Sequence, residues 1–157
     1  MITLNILDVK KTMEELLKGN LFDEFEARDI EIHTFTKFHI SGILNKDFLS
    51  TDEKELYNSN YILWKEIKKH VFNIIKGKKS PTYFKIVLSA NKDLISNFSS
   101  EISALFINMI YTNNKLTCTT GTALKTFILD KSYEYQWDKY IYELFYNSNI
   151  LVEKNNI

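Results

Sequence analysis

The sequence predicts an α+β fold whose sheet or sheets are mostly antiparallel. Apolar residues recur at helical spacing over 9–17 and 137–145. They alternate at strand spacing over 26–44 and 104–120, where turn residues separate neighbouring strands. The chain has 157 residues, of which 45% are apolar and 25% charged, as is typical of a globular protein. We therefore expect residues 1–157 to form one domain.

The first third of the chain predicts a strand, a helix and a hairpin. Residues 2–7 form the strand, and Asp8 is suited to cap a helix over 9–17 because its carboxylate accepts from free N–H groups of the first turn. The alternating pattern over 26–44 then predicts two strands joined by a turn near 35–37.

The middle third predicts a helix and a strand, with one open choice between them. Ser50 or Thr51 caps the helix, whose apolar face extends from Leu56 to Ile67. The helical period breaks near residue 70, and two interpretations remain. We expect residues 71–75 to form a strand that makes a hairpin with 83–88, and the alternative is that the helix continues through them.

The last third begins with a short helix and a long hairpin. Asn91 caps the helix, which reaches Phe98. Residues 104–111 and 115–120 form the two strands of the hairpin, and the turn between them is Asn113-Asn114.

A bend at Gly121 leads into a further predicted strand, and the chain ends in a helix. The strand covers 124–129, and Ser132 caps the helix. The helix follows from apolar residues at i, i+3, i+4, i+7 and i+8 from Trp137 onwards. The prediction thus has about four helices.

The predicted elements can also be divided into two similar halves. With the middle helix set aside, residues 1–76 and 83–129 each form a β-α-β-β-β unit. This pseudo-repeat resembles the topology of sliding clamps, the rings that hold polymerases on DNA.

Few residues have the type and spacing that catalysis or metal binding needs. His33 and His39 lie in neighbouring predicted strands, but two histidines are too few for a metal centre, so we expect no metal and no cofactor. Cys118 falls on an apolar strand face and is expected to be a buried, inert thiol. An enzyme would have to assemble its site from dispersed residues such as these histidines, Asp130 and Lys131.

The charges are distributed unevenly along the chain, although they sum to zero. Residues 1–55 have a net charge of −5, residues 60–92 of +7 and residues 93–157 of −2. Lysines interleaved with aromatic residues are typical of surfaces that bind single-stranded nucleic acid. The candidate binding surface is the basic stretch from Lys65 to Lys92, and its main lysines are Lys65, Lys68, Lys69, Lys76, Lys78, Lys79 and Lys85.

Short motifs extend along nearly the whole chain: Asp8–Lys11, Gly42, Asn45–Phe48, Ile75–Pro81, Leu116–Thr122, Lys125–Phe127, Asp130–Ser132, Glu134 and Trp137-Asp138. In order and spacing they resemble those of an uncharacterised family of small bacterial domains of unknown function. The resemblance implies a stand-alone, single-domain bacterial protein in the cytoplasm, and favours a hairpin turn at 76–81. It implies no activity, cofactor or site.

Three functional hypotheses follow from the sequence. The first is a small cytoplasmic binding domain without a catalytic site, which could self-associate head-to-tail by pairing its acidic first third with the basic stretch of a second copy. The second is binding of nucleic acid, or of an acidic protein surface, through the Lys65–Lys92 stretch. The third is an enzyme with a dispersed site. No apolar run is long enough to predict a membrane partner.

Overall fold

A computed structural model describes residues 1–155, which form one antiparallel sheet and several helices. The strand order is β3-β2-β4-β5-β6-β1-β7. The seven strands are β1 (Thr3–Ile6), β2 (Glu26–His33), β3 (Lys37–Ser41), β4 (Tyr83–Ser89), β5 (Ile102–Thr112), β6 (Lys115–Leu124) and β7 (Val152–Lys154). The five α-helices in the same residues are α1 (Val9–Leu17), α2 (Thr51–Glu55), α3 (Trp64–Ile75), α4 (Lys92–Ile95) and α5 (Ser132–Asn147). The α+β class and the antiparallel pairing are therefore confirmed.

The two faces of the sheet have different environments because strand residues alternate between them. Ile30, Ile86 and Ile107 lie on the face that the helices cover, and they are fully buried. Neighbouring residues such as Glu31 and Lys85, which oppose each other across β2 and β4, are only half-buried on the open face.

Both tryptophans belong to the core between the sheet and the helices. Trp64 is fully buried, and its Nε1 donates to the Leu16 carbonyl at 2.7 Å. Trp137 donates likewise to the Phe106 carbonyl at 2.9 Å. These bonds satisfy the indole N–H groups and tie α3 to α1 and α5 to the sheet.

Several predicted element boundaries are confirmed. The Asp8 carboxylate accepts from Lys11 N at 3.1 Å and begins α1, and Asn91 caps α4. Asn113 and Asn114 adopt φ values of 51° and 59°, which suit the tight turn between β5 and β6.

In the middle of the chain, the structure differs from the predictions at two places. Residues 71–75 continue α3, so the helical alternative was right and the strand was wrong. The single helix predicted from residue 51 is two helices, because α2 ends at Glu55 and residues 56–63 are not helical. Ser50 does cap α2, with the capping box that its spacing to Glu53 allows.

Near the end of the chain, the structure differs from the predictions at three further places. The strand predicted over 124–129 is absent, since β6 runs through Gly121 and ends at Leu124. Ser132 is the first helical residue of α5 and its N–H donates to Asp130 Oδ1, so the predicted Ser132 cap is wrong. Strand β7 was not predicted; it pairs with β1 at the edge of the sheet.

These corrections change the predicted pseudo-repeat. Neither β-α-β-β-β unit forms, because 71–75 is helical and 125–129 is not a strand. What remains is the order β1-α1-β2-β3 followed later by β4-α4-β5-β6, a pair of four-element units in one continuous sheet. Within residues 1–155, no helix has the length and apolar composition that a bilayer span requires.

Candidate functional site

A cavity of about 520 Å³ opens at the end of the sheet where β2 and β5 begin and β4 ends. We call it the Arg28 cavity. Its size lies within the range of small-molecule sites. Its wall consists of Glu26, Arg28, Leu44, Lys46, Lys54, Tyr57, Asn58, Ser59, Asn60, Tyr61, Ala90, Lys92, Ile95 and Ser103.

A β-bulge places Arg28 in the cavity. Ala27 pairs with Leu88 and Asp29 pairs with Val87, so Arg28 is the extra residue of β2 at this point. A bulge bends the strand and redirects the side chain that it carries. The Arg28 side chain consequently lies over the end of the sheet instead of following the regular alternation.

The arginine side chain is held in one orientation by three neighbours. Its Nε donates to the hydroxyl of Ser89, a fully buried residue, at 2.8 Å. Its Cζ lies 3.8 Å from the ring centroid of Tyr61 and 5.2 Å from that of Phe106. Among residues 1–155, this Nε bond is the only hydrogen bond that the guanidinium makes, so its two terminal nitrogens are available to a ligand.

Glu26 lies beside Arg28 on the floor of the cavity, and its side chain is only 4% exposed. Arg28 Nη2 is 3.9 Å from Glu26 Oε2, which makes an ion pair but is too long for a hydrogen bond. Burial raises the pKa of Glu26 above its ordinary value, while the Ser59 hydroxyl and the charges of Arg28 and Lys92 act in the opposite direction.

Three exposed lysines surround the mouth of the cavity, and we call them the rim lysines: Lys46, Lys54 and Lys92. Lys46 Nζ donates to Asn60 Oδ1 at 3.1 Å. With Arg28 they bring four positive charges to a wall in which Glu26 is the single acidic residue. Such a cavity attracts anions.

A second bulge contributes to the same cavity. The register of β5 against β6 shifts between Ile102 and Ala104, which leaves Ser103 unpaired, and Ser103 lines the wall. Bulges are common next to functional sites because they redirect side chains without disturbing the rest of a sheet. Both irregularities of the sheet therefore border one cavity.

A family comparison agrees with the resemblance that the sequence motifs suggest. The model of the DUF5721 family, described as a family of unknown function, matches residues 15–153. The chain belongs to this family. No curated protein and no solved structure shows a significant match. The description of the DUF5721 family names no activity, so membership assigns no function to the chain.

The lysines of the predicted binding surface differ in their ion pairing and exposure in this DUF5721 protein. Lys65 and Lys68 form ion pairs with Glu24 and Asp23, at 3.0 and 2.7 Å. Lys68 is also half-buried, with a second bond to the Gly19 carbonyl.

The other lysines of that surface are divided between α3, its C-terminal turn and the sheet. Lys69 is exposed on α3, and Lys85 lies on the open face of the sheet opposite Glu31. Lys76, Lys78 and Lys79 are exposed in and after the last turn of α3, and none of the three has an ion pair within residues 1–155.

The dispersed residues that would form an enzyme site are brought together only in part: His33 and His39 both lie beside Glu31 on β2 and β3, whereas Asp130 and Lys131 form no hydrogen bond or ion pair with them within residues 1–155. His33 bonds to Glu31, and His39 bonds to Asp29 at 2.6 Å, so each histidine has its own carboxylate. Asp130 and Lys131 precede α5, and they do not line the Arg28 cavity. Within residues 1–155, no cluster of three metal-binding side chains is present.

Cys118 is fully buried between β1 and β5, as predicted, and burial raises its pKa to about 12. A thiol in that environment stays protonated and unreactive at neutral pH.

Sequence reasoning missed the Arg28 cavity, although one signal for it was present. Arg28 is the only arginine among the 20 lysine and arginine residues of the chain, and it interrupts the alternation of β2. The rest of the wall comes from residues 44–61, 90–95 and 103, which no local pattern connects.

Proposed function

We propose that this protein binds a small anionic molecule in the Arg28 cavity. The observation that carries the proposal is the state of Arg28: its orientation is fixed by Ser89, Tyr61 and Phe106, while its terminal nitrogens have no bonded partner in residues 1–155. A guanidinium held in this way can bind a phosphate or carboxylate through two parallel hydrogen bonds.

The surroundings of Arg28 support an anion more than a neutral ligand. The rim lysines add three positive charges at the mouth, where they increase the local concentration of anions. The apolar side chains of Leu44, Ala90 and Ile95 complete the wall and exclude water from part of the cavity. A small binding protein is also the first hypothesis from the sequence, and we propose the bacterial cytoplasm as its location.

Calorimetric titration at low ionic strength with phosphate, pyrophosphate and citrate tests the proposal. We expect at least one of them to bind. Arg28→Lys should weaken that binding by roughly tenfold, because lysine keeps the charge but cannot form the two parallel hydrogen bonds of a guanidinium. Lys115→Ala is the matched control, since Lys115 is exposed at the start of β6 and does not line the cavity. If none of the three anions binds to the wild type, the proposal is wrong.

A second candidate function is binding of nucleic acid or an acidic protein through the predicted basic stretch. It is favoured by Lys76, Lys78 and Lys79, whose exposed ammonium groups form no ion pair within residues 1–155. Titration with labelled single- and double-stranded oligonucleotides tests it, with the triple Glu variant of these lysines compared with Lys115→Glu, a change at an exposed lysine outside the stretch. Affinity that falls with the triple variant and with salt supports this function. Equal affinity of the variants would contradict it.

A further inference from the structure

The Arg28 cavity contains one group that a simple anion does not require. Glu26 is a buried carboxylate on the floor, beside the arginine. A carboxylate repels phosphate, and burying it costs free energy unless it is paired or accepts hydrogen bonds. Its distance of 3.9 Å from Arg28 Nη2 leaves both groups able to form better hydrogen bonds with something else. The floor therefore offers an acceptor and a donor side by side.

The floor and the mouth of the cavity differ in what they can bind. Arg28 and Glu26 are 21% and 4% exposed, whereas Lys46, Lys54 and Lys92 are exposed. A ligand that satisfies both regions has an uncharged end with an N–H donor next to an acceptor, and an end with several negative charges. Nucleobases with an amino group have such an edge, and their phosphates supply the charge.

We propose that the ligand is a nucleoside phosphate whose base carries an amino group. The base edge lies on the floor, where Glu26 accepts from the amino N–H and Arg28 donates to the neighbouring ring acceptor. The phosphates lie at the mouth and bind the rim lysines. The cavity volume of about 520 Å³ fits a ligand of nucleotide size. This inference rests on the proposed function, since it assumes that the cavity binds an anion.

Uracil provides an internal contrast to the amino-bearing bases. Its base-pairing edge has one ring N–H between two carbonyl oxygens, so if that N–H donates to Glu26, one oxygen can accept from Arg28 but the other is left beside the carboxylate, which repels it. Uridine triphosphate keeps the ribose and all three phosphates, so it differs from cytidine triphosphate only at the base. Tripolyphosphate lacks the nucleoside altogether and reports the contribution of the rim lysines.

The test is calorimetric titration of the full chain with ATP, GTP, CTP, UTP and tripolyphosphate. We expect at least one amino-bearing nucleotide to bind roughly tenfold or more tightly than both UTP and tripolyphosphate, as one good hydrogen-bonded contact would produce. Glu26→Met, which has a similar length but no oxygen acceptor, should remove most of this advantage while leaving tripolyphosphate affinity equal or higher. Tripolyphosphate binding also shows that the variant retains a folded cavity. If Glu26→Met does not fold, Glu26→Asp, which withdraws the carboxylate by one methylene, is expected to lose the same advantage.

The other outcomes separate the two proposals. If tripolyphosphate binds and no amino-bearing nucleotide is preferred over UTP, the nucleotide inference is wrong and anion binding stands. If an amino-bearing nucleotide is preferred but Glu26→Met keeps the full preference, the base is bound elsewhere and the inference is also wrong. If none of the five ligands binds, the nucleotide inference is wrong, and anion binding fails as well only if phosphate, pyrophosphate and citrate also do not bind.

Discussion

Gly42 is the residue that allows β3 to approach the bulge of β2. Its N–H donates to the Arg28 carbonyl at 3.1 Å, and it is buried. A Cβ at this position would lie 1.7 Å from the Ala27 carbonyl oxygen, which is backbone and cannot rotate away. Only glycine permits this contact.

We therefore expect Gly42→Ala to lower the free energy of unfolding by about 2 kcal/mol or more and to displace Arg28. Urea unfolding and anion titration of the variant measure these two effects. Gly121→Ala is the control, because its nearest neighbour, Phe106 Cβ, is 3.7 Å away and allows an ordinary contact. Equal stability of the two variants would contradict the role of Gly42.

Glu26 makes stability depend on pH in a predictable direction. Burial raises its pKa in the folded state above the ordinary value of 4.5, so the folded protein holds this proton more tightly than the unfolded chain does. The resulting stabilisation is complete below about pH 4.5 and is lost as the pH rises through the folded-state pKa.

As the pH increases from 4 towards 8, we expect the free energy of unfolding of the wild type to fall relative to that of Glu26→Gln. Urea unfolding curves at several pH values measure the difference. Glu55→Gln serves as the control, because Glu55 is exposed at the end of α2. Parallel pH profiles for the wild type and Glu26→Gln would show that Glu26 is not the group concerned.

At the scale of elements, the segment over residues 43–60 covers the Arg28 cavity, and we call it the cover segment. It is attached at its two ends, where Leu44 N donates to the Asn60 carbonyl at 2.8 Å. Between the ends it contributes little to the core: Phe48 and Leu56 are 84% and 83% exposed. Few buried contacts mean a low free energy of local opening.

We expect limited proteolysis with chymotrypsin to cleave first in the cover segment, at Phe48, Leu56 or Tyr57. A bound anion should slow this cleavage, because Lys46, Lys54 and Tyr57 line the cavity. Mass spectrometry of the fragments measures it. Cleavage after Phe127, which is 80% exposed and outside the cavity, should be unaffected by the anion. Equal protection at both places would indicate general stabilisation instead.

The elements also show which parts of the fold can be predicted from sequence. The β5–β6 hairpin was predictable because Asn113 and Asn114 tolerate positive φ next to alternating strands. Residues 71–75 were ambiguous because their β-branched and aromatic composition favours a strand, whereas burial of Val71 against the core favours continuation of α3. Tertiary packing decided that choice.

The candidate site was less predictable than the fold. A bulge such as the one at Arg28 depends on how two strands pair, and this pairing has no signature in a single segment. Strand β7 was missed for a related reason. Three residues at a sheet edge form a strand only because β1 is there to pair with them.

For the whole molecule, the uneven charge distribution is partly balanced within the chain. Lys65 and Lys68 pair with the acidic residues Glu24 and Asp23 of the first third. Head-to-tail association between copies would therefore depend mainly on the exposed lysines at the end of α3, Lys76, Lys78 and Lys79.

Light scattering at low and high salt tests this association. If it occurs, we expect a dimer or larger species at low salt that dissociates at high salt, because screening weakens contacts between exposed charges. The Glu variant of the three lysines should remain monomeric at low salt. A monomeric wild type under both conditions would exclude self-association through this surface.

The burial of Cys118 has a practical consequence for all of these measurements. The chain contains one cysteine, in the centre of the sheet beside Leu4 and Met109. A thiol-labelling reagent can therefore modify the protein only when the centre of the sheet opens. The labelling rate therefore measures how often the centre of the sheet opens, and no probe has to be introduced by mutation.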